Sequence, residues 1–228
     1  MKRDDFPNRK HVALPVIHVQ NENQAIANVA IAQERGCDGV FLINHQIDCY
    51  ELMDIYREIR KFFPDWWIGL NLLDVLPEKV FGIIPSDVSA IWTDNAMIES
   101  HTRDQPYADL ISKVRKKSGW KGMYFGGVAF KYQAPVHNIE KVTEIAMHYM
   151  DVITTSGTKT GSPPDPEKIR RMKEVVQDVA PLAIASGIRA ENVHLYPGCK
   201  FFLIATSISR DFYNLDPNLM EDLVSAIR

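Results

Sequence analysis

Four side chains that can move protons or form covalent bonds stand just beyond apolar runs: His18 after VALPVI, His45 after GVFLIN, Asp94 after SAIWT, and Lys131 shortly after KGMYFGGV. A carboxylate that ends a buried strand is partly desolvated, which raises its proton affinity toward a range useful in acid–base chemistry. Imidazoles titrate near neutrality and suit the same task, and a desolvated lysine amine could form a Schiff base with a carbonyl substrate. Asp94, His18, His45 and Lys131 are therefore the candidate catalytic residues. Thr93 and Asn95 flank Asp94, so capping the next turn is its alternative role. His18, His45 and Asp94 with Asn44 and Asn71 could instead hold a divalent cation, but no HxH or HExxH spacing supports one, and no cofactor is expected.

Candidate binding groups stand in the same places. Asn44, Asn71, Thr154 and Ser156 end further apolar runs. The stretch Ala185-Ser186-Gly187-Ile188-Arg189-Ala190-Glu191-Asn192-Val193 offers a small residue and a glycine, which let backbone N–H groups approach an anion before a helix begins. Ala205-Thr206-Ser207-Ile208-Ser209 adds hydroxyls, with Arg189 or Arg210 nearby. Ser186, Gly187, Thr206 and Ser207 thus form the expected phosphate site. Between them and Ser156 runs Gly157-Thr158-Lys159-Thr160-Gly161-Ser162-Pro163-Pro164-Asp165, where glycines bracket a lysine between two threonines ahead of a rigid Pro-Pro. It is not a Walker loop, because GxxxxGK[ST] is unsatisfied; a mobile lid with Lys159 on the ligand's phosphate or carboxylate is the expectation.

The elements that must position these groups repeat from end to end. Eight runs rich in β-branched and aromatic residues start at Val12, Gly39, Trp66, Ser89, Lys121, Asp151, Pro181 and Lys200, roughly 19 to 32 residues apart. Segments with helical period lie between them, such as Leu52, Ile55, Tyr56 and Ile59. Asp165-Pro166 and Asp216-Pro217 read as N-caps followed by proline, and Gly36 and Gly119 as C-terminal glycines. Eight βα units in 228 residues predict an α/β fold, the (βα)8 TIM barrel, as one domain over residues 1–228, with an open doubly wound sheet as the rival. In a barrel, the residues ending the strands share one mouth, where phosphate commonly binds after the seventh and eighth strands.

Composition narrows the partners. At 46% hydrophobic the chain has about 105 apolar side chains, enough for one sizeable core. Its net charge is −3 and its longest basic cluster is Arg115-Lys116-Lys117, so a nucleic-acid footprint is missing. Cys37, Cys49 and Cys199 are odd in number and lack a CxxC, which fits a reducing cytoplasm better than a disulfide framework. The charged start MKRDDFPNRK precedes only a short apolar run, so neither a signal peptide nor a membrane span is expected. The expected partners are a phosphorylated small molecule and further copies of the chain in a homo-oligomer.

The pattern SG-x-x-TG-x-x-PD-x-x-K-I from Ser156 to Ile169, with GCDGVFLIN, resembles the BtpA family of barrel proteins named for photosystem I biogenesis. ASGI-x-x-ENV also looks like that family and, more loosely, like ribulose-phosphate-binding barrels such as phosphoribosylanthranilate isomerase. Members typically carry Pro-Leu-Pro-Gly after the first strand and a Glu-Asn pair at the second; here those places read Leu14-Pro15-Val16-Ile17-His18 and Ile43-Asn44-His45. The resemblance implies a barrel with a phosphorylated ligand, phosphoribosyl- or sugar-phosphate-like, and not a particular reaction. It also implies a second class of role, a non-catalytic assembly or regulatory factor that keeps its pocket.

Overall fold

Each of the eight apolar runs forms a strand, and the strands pair in parallel, in chain order, into a closed barrel. The computed structural model describes residues 5–228; Met1 to Asp4, which begin the charged N-terminal stretch, lie outside it. The strands are β1 (Val12–Val19), β2 (Val40–Asn44), β3 (Ile68–Asn71), β4 (Ala90–Thr93), β5 (Met123–Gly127), β6 (Val152–Thr155), β7 (Leu182–Ile184) and β8 (Phe201–Ile204). Closure follows from β1 pairing with both β2 and β8.

Helices follow most strands: α1 (Glu22–Glu34), α2 (Cys49–Phe62), α3 (Pro77–Val80), α4 (Pro106–Ser118), α5 (Ile139–Ala146), α6 (Pro166–Val176) and α7 (Pro217–Ile227). Their ends carry the expected signals. Asp165 accepts from the Glu167 N–H and Asp216 from those of Asn218 and Leu219, while Gly119 closes α4 at φ 71°. The segment after β7 departs from expectation. No α-helix begins after Gly187; only a 3-10 turn, Val193–Leu195, occupies that place. Asn192 folds the chain back, accepting from the Arg189 N–H and donating to the Gly187 carbonyl, and Pro197 disfavours helical backbone at Tyr196.

Strand residues alternate between two cores. Val12, Leu14 and Val16 face inward with Phe41, Trp67, Trp92, Phe125 and Phe201, whereas Ala13, Ile17, Leu42 and Ile153 pack outward under the helices. Inside, Phe41 meets Trp67, Trp92 and Phe125 edge-on, with ring centroids 5.3, 5.8 and 5.2 Å away. Gly69 makes room for that ring, since a Cβ there would sit 2.3 Å from it. Phe6 closes the N-terminal end against Trp67 and Phe201, leaving the opposite end as the mouth. Trp66 packs outward against the helices and Trp67 inward into the barrel.

Candidate functional site

The alternation that sends Trp92 into the barrel also sends Asp94, two residues on, to the mouth. There a cavity of about 240 Å³ is lined by His18, His45, Asp94 and Lys131 from four different strand ends. Gly187, Thr206 and Ser207 line its other side, so the acid–base candidates and the proposed anion loops share one space. Phe212 stands over the imidazoles, with its ring centroid 4.2 Å from that of His18 and 5.2 Å from that of His45. Among the described residues no three His, Cys, Asp or Glu side chains gather as a metal ion would require.

Burial dominates the electrostatics. It raises the proton affinity of the Asp94 carboxyl, against Asn71, Lys131 and His45, which favour the carboxylate. Burial lowers His18 to about 4, helped by the neighbouring His45 and Lys131, and it lowers His45 as well. Burial thus favours the uncharged form of both imidazoles and of the Asp94 carboxyl. Lys131 Nζ lies 5.2 Å from the centroid of the Phe130 ring. Asp94 does not cap its turn: Asn95 does so by accepting from the Met97 N–H, while Asp94 Oδ1 receives the Asn71 amide at 3.0 Å.

Several binding candidates are engaged elsewhere. Asn44 braces the loops after β2 and β3, donating to Asp74 and the Ile47 carbonyl and accepting from the Leu73 N–H. The Ser186 hydroxyl lines the mouth but donates to the Ser162 carbonyl at 2.6 Å and accepts from the Gly157 N–H at 3.0 Å. Ser207 donates to the Ile188 carbonyl at 2.6 Å. What those loops offer an anion is backbone: among the described residues, the N–H groups of Gly187, Thr206 and Ser207 donate to no protein acceptor. Arg189 lines the mouth, whereas Arg210 pairs with Asp216.

The glycine-bracketed loop after β6 is fastened at both ends. Gly157 and Gly187, the latter at φ 66°, lie against the Ser162-Pro163 backbone so closely that a Cβ at either would be within 2.2 Å of it. Thr160 and Gly161 reach the mouth; Ser156, Gly157 and Thr158 face a neighbouring cavity of about 510 Å³; Lys159 is exposed and lines neither. Thr154 is fully buried, and its hydroxyl has no partner among the described residues.

Sequence reasoning missed Lys168, Gln133, Trp92 and the aromatic pair Tyr132 and Phe212. Lys168 extends its amine to the carbonyls of Ala129, at 2.6 Å, and Ser156, at 2.9 Å, and burial lowers it to about 8. Gln133 donates to the carbonyls of Asp94 and Gly127. Together they hold the β5 loop, in which Ala129 and Tyr132 take φ of 47° and 66°, and from which Lys131 enters the mouth. Lys168 belongs to the PD-x-x-K pattern, which was the available signal. For Trp92 the signal was its spacing of two from Asp94.

No protein-family model and no curated protein matches the chain. Solved structures do. The native KDPGal structure superposes with a TM-score of 0.69 at 15% identity, covering 99% of this chain and 97% of that one. A phosphoribosyl anthranilate isomerase from Thermus thermophilus gives 0.65 at 10%, covering 95% and 98%. An (S)-3-O-geranylgeranylglyceryl phosphate synthase from Thermoplasma acidophilum, in complex with its substrate sn-glycerol-1-phosphate, gives 0.66 at 16%, covering 96% and 94%. These likenesses establish the TIM-barrel fold; the narrower BtpA resemblance has no counterpart among them.

Proposed function

We propose that the protein is an enzyme that binds a phosphorylated small molecule, phosphoribosyl- or sugar-phosphate-like, at the barrel mouth and acts on it by acid–base chemistry. One observation carries the reading: Asp94, His18, His45 and Lys131 line the same cavity as Gly187, Thr206 and Ser207. The phosphate rests on the free N–H groups of the last two loops, with Arg189 at the rim. Asp94 is the proton carrier, because burial has moved its affinity upward and Asn71 holds its orientation. His18 and His45 serve as neutral hydrogen-bonding partners. Lys131 stabilises negative charge that develops on the substrate. The phosphate ligand of a structural neighbour supports this reading.

A Schiff-base role for Lys131 is the second reading, since its side chain reaches the mouth beside Asp94. A non-catalytic assembly factor would not require acid–base groups and anion loops to face one space.

Thermal denaturation with inorganic phosphate and ribose 5-phosphate tests the binding step, since saturation to 100 times Kd adds about 2.7 kcal/mol. Stabilisation should come with amide shifts at Gly187, Thr206 and Ser207. Absence of stabilisation well above ~1 mM, on the same linkage, counts against the proposal.

A further inference from the structure

Three buried side-chain atoms on inward-facing strand positions have no hydrogen-bond partner among the described residues: Trp92 Nε1, Thr154 Oγ1 and His18 Nδ1. Trp92 is the decisive one. Buried indoles ordinarily find an acceptor, and the other buried tryptophans do: Trp67 donates to Asp5 and Trp120 to the Val88 carbonyl, each at 2.9 Å. Trp92 is 4% exposed, donates to nothing, and lines the mouth cavity beneath Asp94. An N–H left unpaired in such a place is destabilising unless something entering the cavity accepts it.

The way in for that acceptor is the mouth cavity, whose wall includes Trp92 together with Val16, Ile43 and Leu203. Thr154, fully buried on β6, carries another polar atom without a partner among the described residues, its hydroxyl oxygen.

We propose that Trp92 is a ligand-binding residue whose indole N–H takes a carbonyl-type oxygen of the substrate, so that the molecule bound here is a phosphorylated aldehyde, ketone or carboxylate. The assignment rests on the phosphate reading above. The phosphate sits at the β7 and β8 loops, and the oxygen points down to Trp92, next to the Asp94 carboxyl. A carbon skeleton without that oxygen leaves the N–H unpaired, which is the arrangement that discriminates most strongly between substrates.

Two measurements test it. The first is the indole N–H spectrum of the whole protein, with Trp92 assigned by comparison with Trp92→Phe, during titration with paired phosphoesters: glycolaldehyde phosphate against ethyl phosphate, and dihydroxyacetone phosphate against propyl phosphate. The Trp92 proton should move downfield with the carbonyl members alone. The second is affinity by calorimetry, where the carbonyl member of a pair should bind about tenfold tighter and Trp92→Phe should lose that preference while keeping its affinity for the alkyl ester. If alkyl and carbonyl esters bind equally, or the indole proton is held upfield over Phe41 or Phe130 and does not move, this proposal falls and the phosphate reading stands. A preference retained in Trp92→Phe assigns the oxygen to Lys131 and overturns it too. If no phosphoester binds, both readings fall.

Discussion

Asn71 Nδ2 donates to Asp94 Oδ1 at 3.0 Å, from the end of one strand to the end of the next, and both side chains are held away from bulk water. The contact gives the carboxyl an orientation without supplying a full counter-charge. Burial therefore still outweighs the amide, and the proton affinity of Asp94 remains above its ordinary value.

Asp94→Asn separates catalysis from stability. A carboxyl raised in the folded state contributes stability that is present below its unfolded pKa and lost as pH rises through the folded value. At pH 7 an ionised Asp94 is thus a cost, and an isosteric amide removes it. The variant should melt higher than the parent at pH 7, with the advantage shrinking as pH falls through the raised folded value and gone below the ordinary 3.8. Turnover of a phosphorylated substrate should fall about 10²–10⁴-fold. Normal turnover in a folded Asp94→Asn protein removes this residue from the mechanism.

Asn71→Leu keeps the volume and deletes the donor. Because the amide favours the carboxylate, its loss raises the proton affinity of Asp94 further. The Asp94 carboxyl, followed by carbon NMR, should titrate at higher pH, and the acid limb of the rate profile should move with it. An unshifted titration would mean that the 3.0 Å contact does not set the state of the acid.

The barrel itself was legible because both faces of its strands are buried, so each strand reads as a continuous apolar run, and because Asp-Pro pairs mark where α6 and α7 begin. The convergence of His18, His45, Asp94 and Lys131 follows from that architecture once strand ends are read in order. What spacing cannot convey is the direction of a hydroxyl. Ser186 and Ser207 have the right type and place for an anion, yet each is bonded to a nearby carbonyl. Lys168 was hidden for a related reason: its role depends on two carbonyls, Ala129 and Ser156, that lie far apart in the chain from each other and meet only in the fold. The missing helix after β7 turns on one side chain, Asn192, whose bonds to Gly187 and Arg189 tighten a loop that composition alone leaves open.

His18 makes the protein sensitive to acid. Its folded pKa is about 4 against an ordinary 6.5, so the unfolded chain takes up a proton that the folded chain refuses between those values. The associated stability is complete above 6.5 and is lost as pH falls toward 4. In His18→Gln, stability measured by urea denaturation should decline less steeply across this window, by up to one proton's worth of slope. An identical slope would place the lost protons on another group.

Lys168→Met tests the support beneath Lys131. The change removes the donor shared by the Ala129 and Ser156 carbonyls, leaving Thr155 Oγ1 as the other side-chain donor to Ala129. Stability should fall by about 1–3 kcal/mol, and Lys168→Arg should recover part of it. The diagnostic readout is Lys131: its ammonium resonance should shift in Lys168→Met and return in the arginine variant. A stability loss with no change at Lys131 would make Lys168 a local brace only.

Ser186→Ala decides between the two uses of a hydroxyl at the anion loops. In the structure, Ser186 Oγ is the link between β7 and the glycine-bracketed loop, giving its proton to the Ser162 carbonyl and taking the Gly157 N–H. Its removal leaves the Gly157 amide without that acceptor, and hydrogen exchange at Gly157 should accelerate by about tenfold, the equivalent of one lost hydrogen bond of ~1.4 kcal/mol. Phosphate affinity should change little, because the donors assigned to the anion are the main-chain N–H groups of Gly187, Thr206 and Ser207. The opposite outcome, weakened phosphate binding with unchanged protection at Gly157, would show that the hydroxyl serves the ligand and that the loop is held by the packing of Pro163 on Gly187 alone.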